Sequence, residues 1–266
     1  MFRKILLLLA LTCLSCAYAR AEDKEARDRL AAAHAQYYTP TASGLKSFHC
    51  DASIDWRAML SRFAGTDIPE DNPVLNMLKT VHLAITDDLH GKGSLEWTNT
   101  AEPPDNKKAA MQQMQDGLQI SVAGFFQSWN AYMNGSMVPL PDSTVTVSKS
   151  GEGFHLSGAA KDMAFDEDFD KNMLLTQALV VSPTLKVLAT PTFTPTPEGL
   201  VVTTVLSQVH QPPTAPETNA TFRIEYAKVE SYQIPSRVVF DIKNTGVIEI
   251  GLSACKVTVS DWAKKQ

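Results

Sequence analysis

Two cysteines in segments with strand patterns most constrain how this chain can fold. Cys50 lies in Phe48–Trp56, where apolar or small residues alternate strictly with polar ones, as in a strand with one buried face. Cys255 lies in Val247–Val259, near the other end of the chain. A disulfide between the two cysteines would join the first strand of the domain to the last. The alternative is that both thiols are simply small buried hydrophobic groups.

The N-terminal segment has the parts of a secretory signal peptide. Arg3 and Lys4 precede the apolar run Ile5–Cys16, and small residues follow at the spacing that signal peptidase reads. We therefore expect residues 1–21 to be a signal peptide cleaved after Ala21, and the mature chain to be periplasmic or secreted. A partial lipobox ends at Cys16, so a lipid anchor at Cys16 is the alternative. In an oxidising compartment a disulfide between Cys50 and Cys255 can persist.

Composition limits the classes of function. The chain is 44% hydrophobic and 20% charged, with a formal net charge of −5. It has no block of clustered Lys and Arg, which argues against nucleic acid as a partner, because phosphate binding depends on such clusters. Residues 22–266 suffice for one large β-rich domain, and we predict a single domain there.

A long amphipathic helix is predicted near residues 105–134, as an insertion among the strands. Two prolines precede it, and Asn134-Gly135 ends it. An apolar stripe recurs at steps of three and four residues, as expected for one buried helix face. The stripe consists of Met111, Met114, Leu118, Val122, Phe125, Trp129 and Tyr132. Methionine and aromatic side chains in such a stripe either line an adaptable binding surface or form ordinary core.

The rest of the chain is predicted to be mainly β. Strands are expected at 81–85, 93–97, 144–148, 153–159, 174–181, 185–189, 200–209, 221–229, 237–242 and 247–259, and further helices at 22–38, 57–64 and 72–79. In the last strand the apolar positions change phase between Leu252 and Cys255, which predicts a β-bulge. The segment Pro191–Pro197 is expected to be a loop, because it is rich in proline.

No catalytic signature is complete in this sequence. It contains no Gly-x-Ser-x-Gly nucleophile turn, no Walker loop and no His-Glu-x-x-His motif. His82 and His90, with Asp87 and Asp88 between them, have the side chains for a zinc site. Polar residues at a hairpin tip are usually just solvated, and we favour that interpretation. We expect no enzymatic activity and no cofactor.

One acidic segment begins like a calcium loop. Asp166, Asp168 and Asp170 alternate as its first ligands would, but Lys171 and Gln177 occupy the positions of the required Gly and the bidentate Glu. We therefore predict a surface acidic turn and no bound metal.

The order of the predicted elements points to a known architecture. A leader and an N-terminal helix precede a strand that begins Leu45-Lys-Ser-Phe-His-Cys50, a long antiparallel run follows, and Tyr232–Phe240 contains an apolar-Pro pair before a strand. In this order the chain resembles the LolA/LolB-like lipoprotein-carrier superfamily, in which an incomplete β-barrel wraps helices and encloses an apolar cavity for acyl chains. The resemblance implies an α+β fold, a curved antiparallel sheet (half-barrel) whose concave face is covered by helices.

An imperfectly fitting helical cover would leave an apolar cavity, and such cavities bind lipid. We therefore expect an exported carrier or binding protein for the acyl chains of lipids or lipoproteins. Its partner would be a lipid or an acylated protein, with possible peripheral contact with a membrane. The expected lining is Phe48, Ile54 and Trp56 of the first strand, Leu118, Val122, Phe125 and Trp129 of the long helix, and Leu200, Val202, Phe222, Ile224 and Tyr226 of the late strands. The alternative is that these side chains pack together and leave no cavity.

Two other classes of function stay open. The chain could be a non-catalytic exported interaction module that pairs with a partner through an exposed sheet edge. It could also be a hydrolase whose catalytic residues form no recognisable sequence pattern.

Overall fold

The main element of the protein is one open, curved antiparallel β-sheet of twelve strands. The structure, a computed structural model, describes residues 24–90, 93–100, 102–134, 137–139, 145–160, 162–210, 218–243 and 246–263. Within these ranges four helices accompany the sheet. The predicted signal peptide, with Cys16, lies outside the described residues.

The helices and strands have the following bounds. The helices are α1 (24–36), α2 (Trp56–Ala64), α3 (Pro73–Leu78) and α4 (Asp105–Met133). The strands are β1 (Leu45–Ile54), β2 (Val81–Asp87), β3 (Ser94–Asn99), β4 (Thr146–Ser150), β5 (Gly153–Ala160), β6 (Met163–Phe169), β7 (Leu175–Ser182), β8 (Leu185–Thr196), β9 (Gly199–His210), β10 (Thr218–Val229), β11 (Tyr232–Ile242) and β12 (Gly246–Val259). None of the helices in the described ranges combines the length and the apolar character needed to cross a membrane.

The strand order brings the two ends of the chain together inside the sheet. The order is β3-β2-β1-β12-β11-β10-β9-β8-β7-β6-β5-β4, so β1 pairs with β12 while β3 and β4 form the two edges. Every neighbouring pair is antiparallel. The predicted antiparallel sheet is therefore confirmed.

The β1–β12 pair carries the disulfide that the sequence suggested. Cys50 and Cys255 are bonded across a separation of 205 residues. His49 pairs with Lys256 and Asp51 with Ser253, so two residues of β12 lie opposite Cys50. This is the predicted bulge, and it turns Cys255 toward Cys50 where an unbroken alternation would turn it away.

The first strand is shorter at its end than the alternation predicted. β1 ends at Ile54, and the Asp55 side chain accepts a hydrogen bond from Ala58 N as the N-cap of α2. Trp56 is thus the first residue of α2, and its assignment to the first strand was wrong. The cap satisfies a helix N–H that has no partner within the helix, and this ends the strand two residues early.

The acidic segment at 166–170 is a strand for most of its length, and the prediction of a turn there was wrong. Phe165, Glu167 and Phe169 of β6 alternate with Asp166 and Asp168. Glu167 and Phe169 are buried, so the acidic pair lies on the other face of the sheet. The expected apolar alternation was hidden because one inward position carries a glutamate.

The proline-rich segment that was expected to be a loop belongs to β8. Lys186–Ala189 pairs with β7 on one side, whereas Pro191–Thr196 pairs only with β9. A proline has no N–H to donate and is tolerated where one side of a strand has no neighbour. The second half of β8 is such a position, which accounts for the error.

The first helix packs against the core through one face. Leu30, Ala33 and Tyr37 are buried. The Tyr37 hydroxyl accepts a hydrogen bond of 2.8 Å from Leu175 N, and Tyr38 N donates to Leu200 O at 3.0 Å. These contacts attach the residues that follow α1 to the starts of β7 and β9.

Candidate functional site

The candidate site is the contact between α4 and the sheet, which we call the helix–sheet seam. It comprises the buried stripe of α4 and the sheet residues that this stripe contacts. On α4 the predicted stripe is buried except Met114, which is partly buried, and Phe126 and Met133 extend it. The face that the sequence selected is therefore the face that α4 turns toward the core.

Aromatic rings form the centre of the helix–sheet seam. The Phe125 ring lies 5.5 Å from Phe240 and 6.3 Å from Phe222. Phe48 of β1 lies 5.7 Å from Phe126 and 5.9 Å from the Trp129 ring. Most of these pairs meet edge to face, a favourable geometry for aromatic rings. The seam thus connects β1 with β10 and β11 through side chains of one helix.

A short hydrogen-bond chain crosses the seam between the indole of α4 and the sheet. Trp129 Nε1 donates to Tyr226 Oη at 2.9 Å, and the Tyr226 hydroxyl donates to Val202 O at 2.7 Å. Both polar groups therefore have partners although they lie among apolar residues, as buried polar groups require.

The seam is nearly filled. Two cavities of about 10 Å³ each remain on either side of the Phe125 ring. One is lined by Ile85, Val122, Phe125, Phe126, Val238, Phe240, Ile250 and Leu252, and the other by Phe125, Ser128, Trp129, Tyr132, Val202, Val205, Phe222 and Ile224. A single water needs roughly 10–15 Å³, and ligand sites measure roughly 300 Å³ or more. Neither of these two cavities has room for a ligand while α4 is in this position.

A larger depression lies on the opposite face of the sheet. It measures about 290 Å³ and is lined by Lys186, Leu188, Gln208 and His210. These residues alternate with inward-facing Ala189 and Ser207 along β8 and β9, which places them on the outer face. Three of its four side chains are polar, so it does not match the chemistry of an acyl chain.

Most of the predicted lining residues meet in the seam. Phe48, Val122, Phe125, Trp129, Val202, Phe222, Ile224 and Tyr226 line its cavities or contact its rings. Ile54 is the last residue of β1 and Trp56 is the first residue of α2. The Trp56 ring lies 5.7 Å from the Trp97 ring. Leu118 is buried about two turns before Phe125 on α4. Leu200 lies at the start of β9, where its carbonyl oxygen accepts a hydrogen bond from Tyr38 N.

A buried polar network holds the C-terminal end of α4, and sequence reasoning missed it. Asn130 Nδ2 donates to both carboxylate oxygens of Asp87, at 3.0 and 3.2 Å. Asn134 Nδ2 donates to Asn130 Oδ1 and to Leu89 O, and Thr41 donates to Asn134 Oδ1. Asp87 and Asn130 are 43 positions apart, so neither residue marks the other in the sequence.

Burial changes the acidity of Asp87. Asp87 is fully buried, and burial raises its pKa to about 7, although the hydrogen bond from Asn130 acts in the opposite direction. A carboxylate in a poorly solvated place is less stable than its neutral acid. The end of α4 is therefore attached through a group that titrates near neutral pH. In the described chain, Asp87 and its histidine neighbours form no cluster placed to hold a metal ion.

The middle of α4 is attached to the first edge of the sheet. Leu95 N donates to Gln119 Oε1 at 2.8 Å, and Gln119 Nε2 donates to Gly93 O at 3.5 Å. A Cβ at Gly93 would lie 2.5 Å from Phe126 Cδ2, so only glycine allows this close approach. The Gln119 contact, the Trp129–Tyr226 hydrogen bond, the Asp87–Asn130 network and a ring cluster thus hold α4 on the sheet.

A second buried acid lies farther along the sheet. Glu167 of β6 is 1% exposed, and its Oε2 has no hydrogen-bond partner among the described residues. Burial raises its pKa to about 9, so the group is mostly neutral at neutral pH. Its carboxyl also adds to the effect of burial in raising the pKa of Tyr132. Glu167 was not predicted as a site residue, because its segment was interpreted as a turn.

Comparisons with known proteins assign no family to the chain. No protein-family model, no curated protein and no solved structure matches it.

Proposed function

We propose that the protein is an exported carrier or binding protein for the acyl chains of lipids or lipoproteins, and that α4 is a displaceable cover. In this proposal α4 lies on the concave face of the open sheet. An acyl chain binds to the apolar face of β1 and β9–β12 when the aromatic side chains of α4 leave it. The resemblance to the LolA/LolB-like superfamily supports the same class of ligand.

The main support for the proposal is that a single helix, α4, covers an apolar face of the sheet. One helix covers an aromatic and aliphatic sheet face, and its Phe125 and Trp129 occupy the space that a ligand would need. The sheet itself is held by backbone pairing and a disulfide, whereas the hydrogen bonds described above between α4 and the sheet are made by side chains of α4. Removal of α4 would therefore expose an apolar surface and leave the sheet intact.

The free energies of the exchange are comparable. Transfer of a sixteen-carbon acyl chain from water to an apolar site yields ~12 kcal/mol, at ~0.8 kcal/mol per CH₂ group. Withdrawal of Val122, Phe125, Phe126 and Trp129 alone, with the other buried side chains of α4 still packed, would cost ~6–12 kcal/mol, at ~1.5–3 kcal/mol per side chain. A near balance of this kind suits a carrier, which must release its ligand as well as bind it.

The test uses the indole in the seam as a reporter. A variant with Trp56→Phe, Trp97→Phe and Trp262→Phe retains Trp129 as its only tryptophan. A fatty acid with a nitroxide on its acyl chain is expected to quench Trp129 at micromolar concentration, and palmitic acid to reverse the quenching. A matched variant that retains Trp262, which is half exposed, is expected to show little quenching. Equal quenching of both would mean that the fatty acid does not enter the seam.

Native mass spectrometry of the exported protein is the complementary test. A mass that includes a bound lipid is expected from gently purified protein. A bare polypeptide mass under conditions that retain lipid on other proteins would contradict the proposal.

The sheet edges favour a second candidate, pairing with a partner strand. Gln119 bonds the backbone of the β3 edge, whereas no described residue bonds the outer edge of β4. An exposed edge can accept an added strand. A photo-crosslinking residue at Ser148 of β4 would capture a partner if this function is correct, and the same residue at Ser94 of β3 would not.

A further inference from the structure

A row of small side chains crosses the inner face of the sheet beside the seam. Glu167 pairs with Ala178, Ala178 with Ala189, Ala189 with Ser207, and Ser207 with Ala220. Residues directly opposite one another in antiparallel strands share a face, so these five lie in one line. We call Ala178, Ala189, Ser207 and Ala220 the small-residue row.

The row joins the seam at one end. Val205 and Ser207 are two positions apart on β9 and therefore face the same side. Val205, with Tyr132 and Phe222, lines one of the seam cavities. The inner face thus continues from the aromatic rings under α4 into the small-residue row without a change of side.

The other end of the row is closed by a carboxyl group that lacks a partner. Glu167 stands opposite Ala178, and its side chain is nearly completely buried. Within the described residues, its Oε2 forms no hydrogen bond. An unpaired buried polar atom is costly, and an apolar residue of the same size would avoid the cost. At the end of a row of small side chains, this carboxyl group has a free hydrogen-bonding capacity that no described residue uses.

We infer that the small-residue row, closed by Glu167, binds the polar end of the acyl ligand, whose carbonyl oxygen accepts a hydrogen bond from the Glu167 carboxyl. This inference rests on the proposed function and adds the orientation of the ligand. The acyl tail lies under α4, and the carbonyl end extends along the row toward β6. Ala178, Ala189 and Ser207 of the row are buried, so in this proposal the carbonyl end reaches the row only when α4 has left the seam.

The protonation of Glu167 fits this role. Because burial raises its pKa to about 9, the group carries a proton at neutral pH and can donate it to an oxygen acceptor. No cationic side chain among the described residues pairs with it. A free fatty acid and an acyl ester both present the required carbonyl group.

The inference is tested with three ligands and two variants. Palmitic acid, methyl palmitate and hexadecane are titrated into wild type, Glu167→Gln and Glu167→Leu, with intrinsic tryptophan fluorescence as the signal. Glutamine retains a donor at the same place, whereas leucine keeps the approximate volume and removes the donor. We expect Glu167→Leu to bind the carbonyl-bearing ligands about three- to tenfold more weakly, and to bind hexadecane as wild type does. Glu167→Gln is expected to bind all three within about twofold of wild type.

An infrared measurement separates a direct hydrogen bond from a structural effect. The carbonyl stretch of bound ¹³C-labelled methyl palmitate is expected at lower frequency in wild type and Glu167→Gln than in Glu167→Leu. Binding of palmitic acid without methyl palmitate would identify a free acid as the ligand, and binding of both would include esters; either result supports the inference.

The two proposals fail in different ways. If wild type binds all three ligands and Glu167→Leu changes neither affinity nor carbonyl frequency, Glu167 does not contact the ligand and only the present inference is overturned. If wild type binds none of the ligands, the acyl-carrier proposal is overturned together with this one.

Discussion

The β1–β12 pair and the helix–sheet seam both join distant parts of the chain, but in different ways. β1 and β12 share a ladder of backbone hydrogen bonds and a disulfide. The seam depends on ring contacts, the Gln119 contact with β3 and the Asp87–Asn130 network. The backbone hydrogen bonds between β1 and β12 cannot be replaced by other contacts in the folded protein. The apolar contacts of α4 can be replaced by contacts with an apolar ligand. Under the proposed function, the sheet is therefore the fixed frame and α4 is the part that a ligand displaces.

Removal of the disulfide should have the largest effect on stability. In the chain-entropy model, a loop of 205 residues corresponds to ~5 kcal/mol as an upper value. We expect Cys50→Ser to lower the free energy of unfolding by ~3–5 kcal/mol, measured by urea unfolding. Cys255→Ser should give the same loss, and the double variant no further loss. Additive losses would show that the two side chains act separately.

Truncation of the central ring should be the next largest effect, and it addresses the seam. Phe125→Ala should cost ~3–4 kcal/mol, because it removes a buried ring and leaves a void. Ile120→Ala is the matched control on the same helix, because Ile120 is 72% exposed, and it should change stability by less than ~0.5 kcal/mol. If the proposed function is correct, Phe125→Ala also binds fatty acid more tightly, because less of the site is filled by the protein itself. Weaker binding of fatty acid by this variant would contradict the proposal that side chains of α4 fill the ligand site.

The regularly patterned parts of both regions were predictable from the sequence. The alternation before Asp55 located β1, the phase change after Leu252 located the bulge, and three- and four-residue steps located the buried face of α4. In each case one residue period identifies one face. The helix–sheet contacts themselves were not predictable, because they depend on which strands lie under α4.

The remaining errors have local causes. β6 was missed because Glu167 occupies an inward position that the pattern reserves for an apolar residue. The second half of β8 was missed because its prolines are compatible with a strand only where one side lacks a neighbour. The Asp87–Asn130 network joins residues that are far apart in sequence. The residues hardest to predict are thus the buried polar groups.

The Asp87–Asn130 contact should make the attachment of α4 sensitive to pH. The ordinary pKa of an aspartate is near 4, and the folded-state pKa of Asp87 is about 7. Between these values the folded protein binds more protons than the unfolded chain, so stability falls as pH rises from about 4 to about 7. Asp87→Asn should flatten this slope in thermal unfolding followed across the same pH range. An unchanged slope would mean that Asp87 titrates normally in the folded protein.

Removal of Asn130 should increase the dependence of stability on pH. Asn130→Ala takes two hydrogen bonds from Asp87 and should cost ~1–3 kcal/mol, because it leaves a buried carboxyl less satisfied. The loss should be greater at pH 8 than at pH 5, since only the charged form depends strongly on these donors. Gln127→Ala, at an exposed position of α4, is the control and should be nearly neutral. Equal losses at both pH values would exclude a charged Asp87 as the partner.

Glu167 gives the smallest expected effect on stability and tests the sheet at β6. Its pKa is raised from about 4.5 to about 9, so its presence costs stability increasingly as pH rises through that interval. Glu167→Gln should therefore be more stable than wild type by ~1–2 kcal/mol at pH 9 and nearly equal to it at pH 5. A constant difference across this range would indicate a packing effect instead of titration.

Amide hydrogen exchange, read separately for α4 and for the β1–β12 pair, distinguishes a displaceable α4 from a helix that is fixed to the sheet. If α4 is displaceable, its amides exchange through an opening that costs less free energy than global unfolding, while β1 and β12 exchange only on global unfolding. Palmitic acid should change the exchange of α4 and of the sheet face beneath it. Exchange of α4 and the β1–β12 pair at one common free energy, unaffected by palmitic acid, would contradict the account.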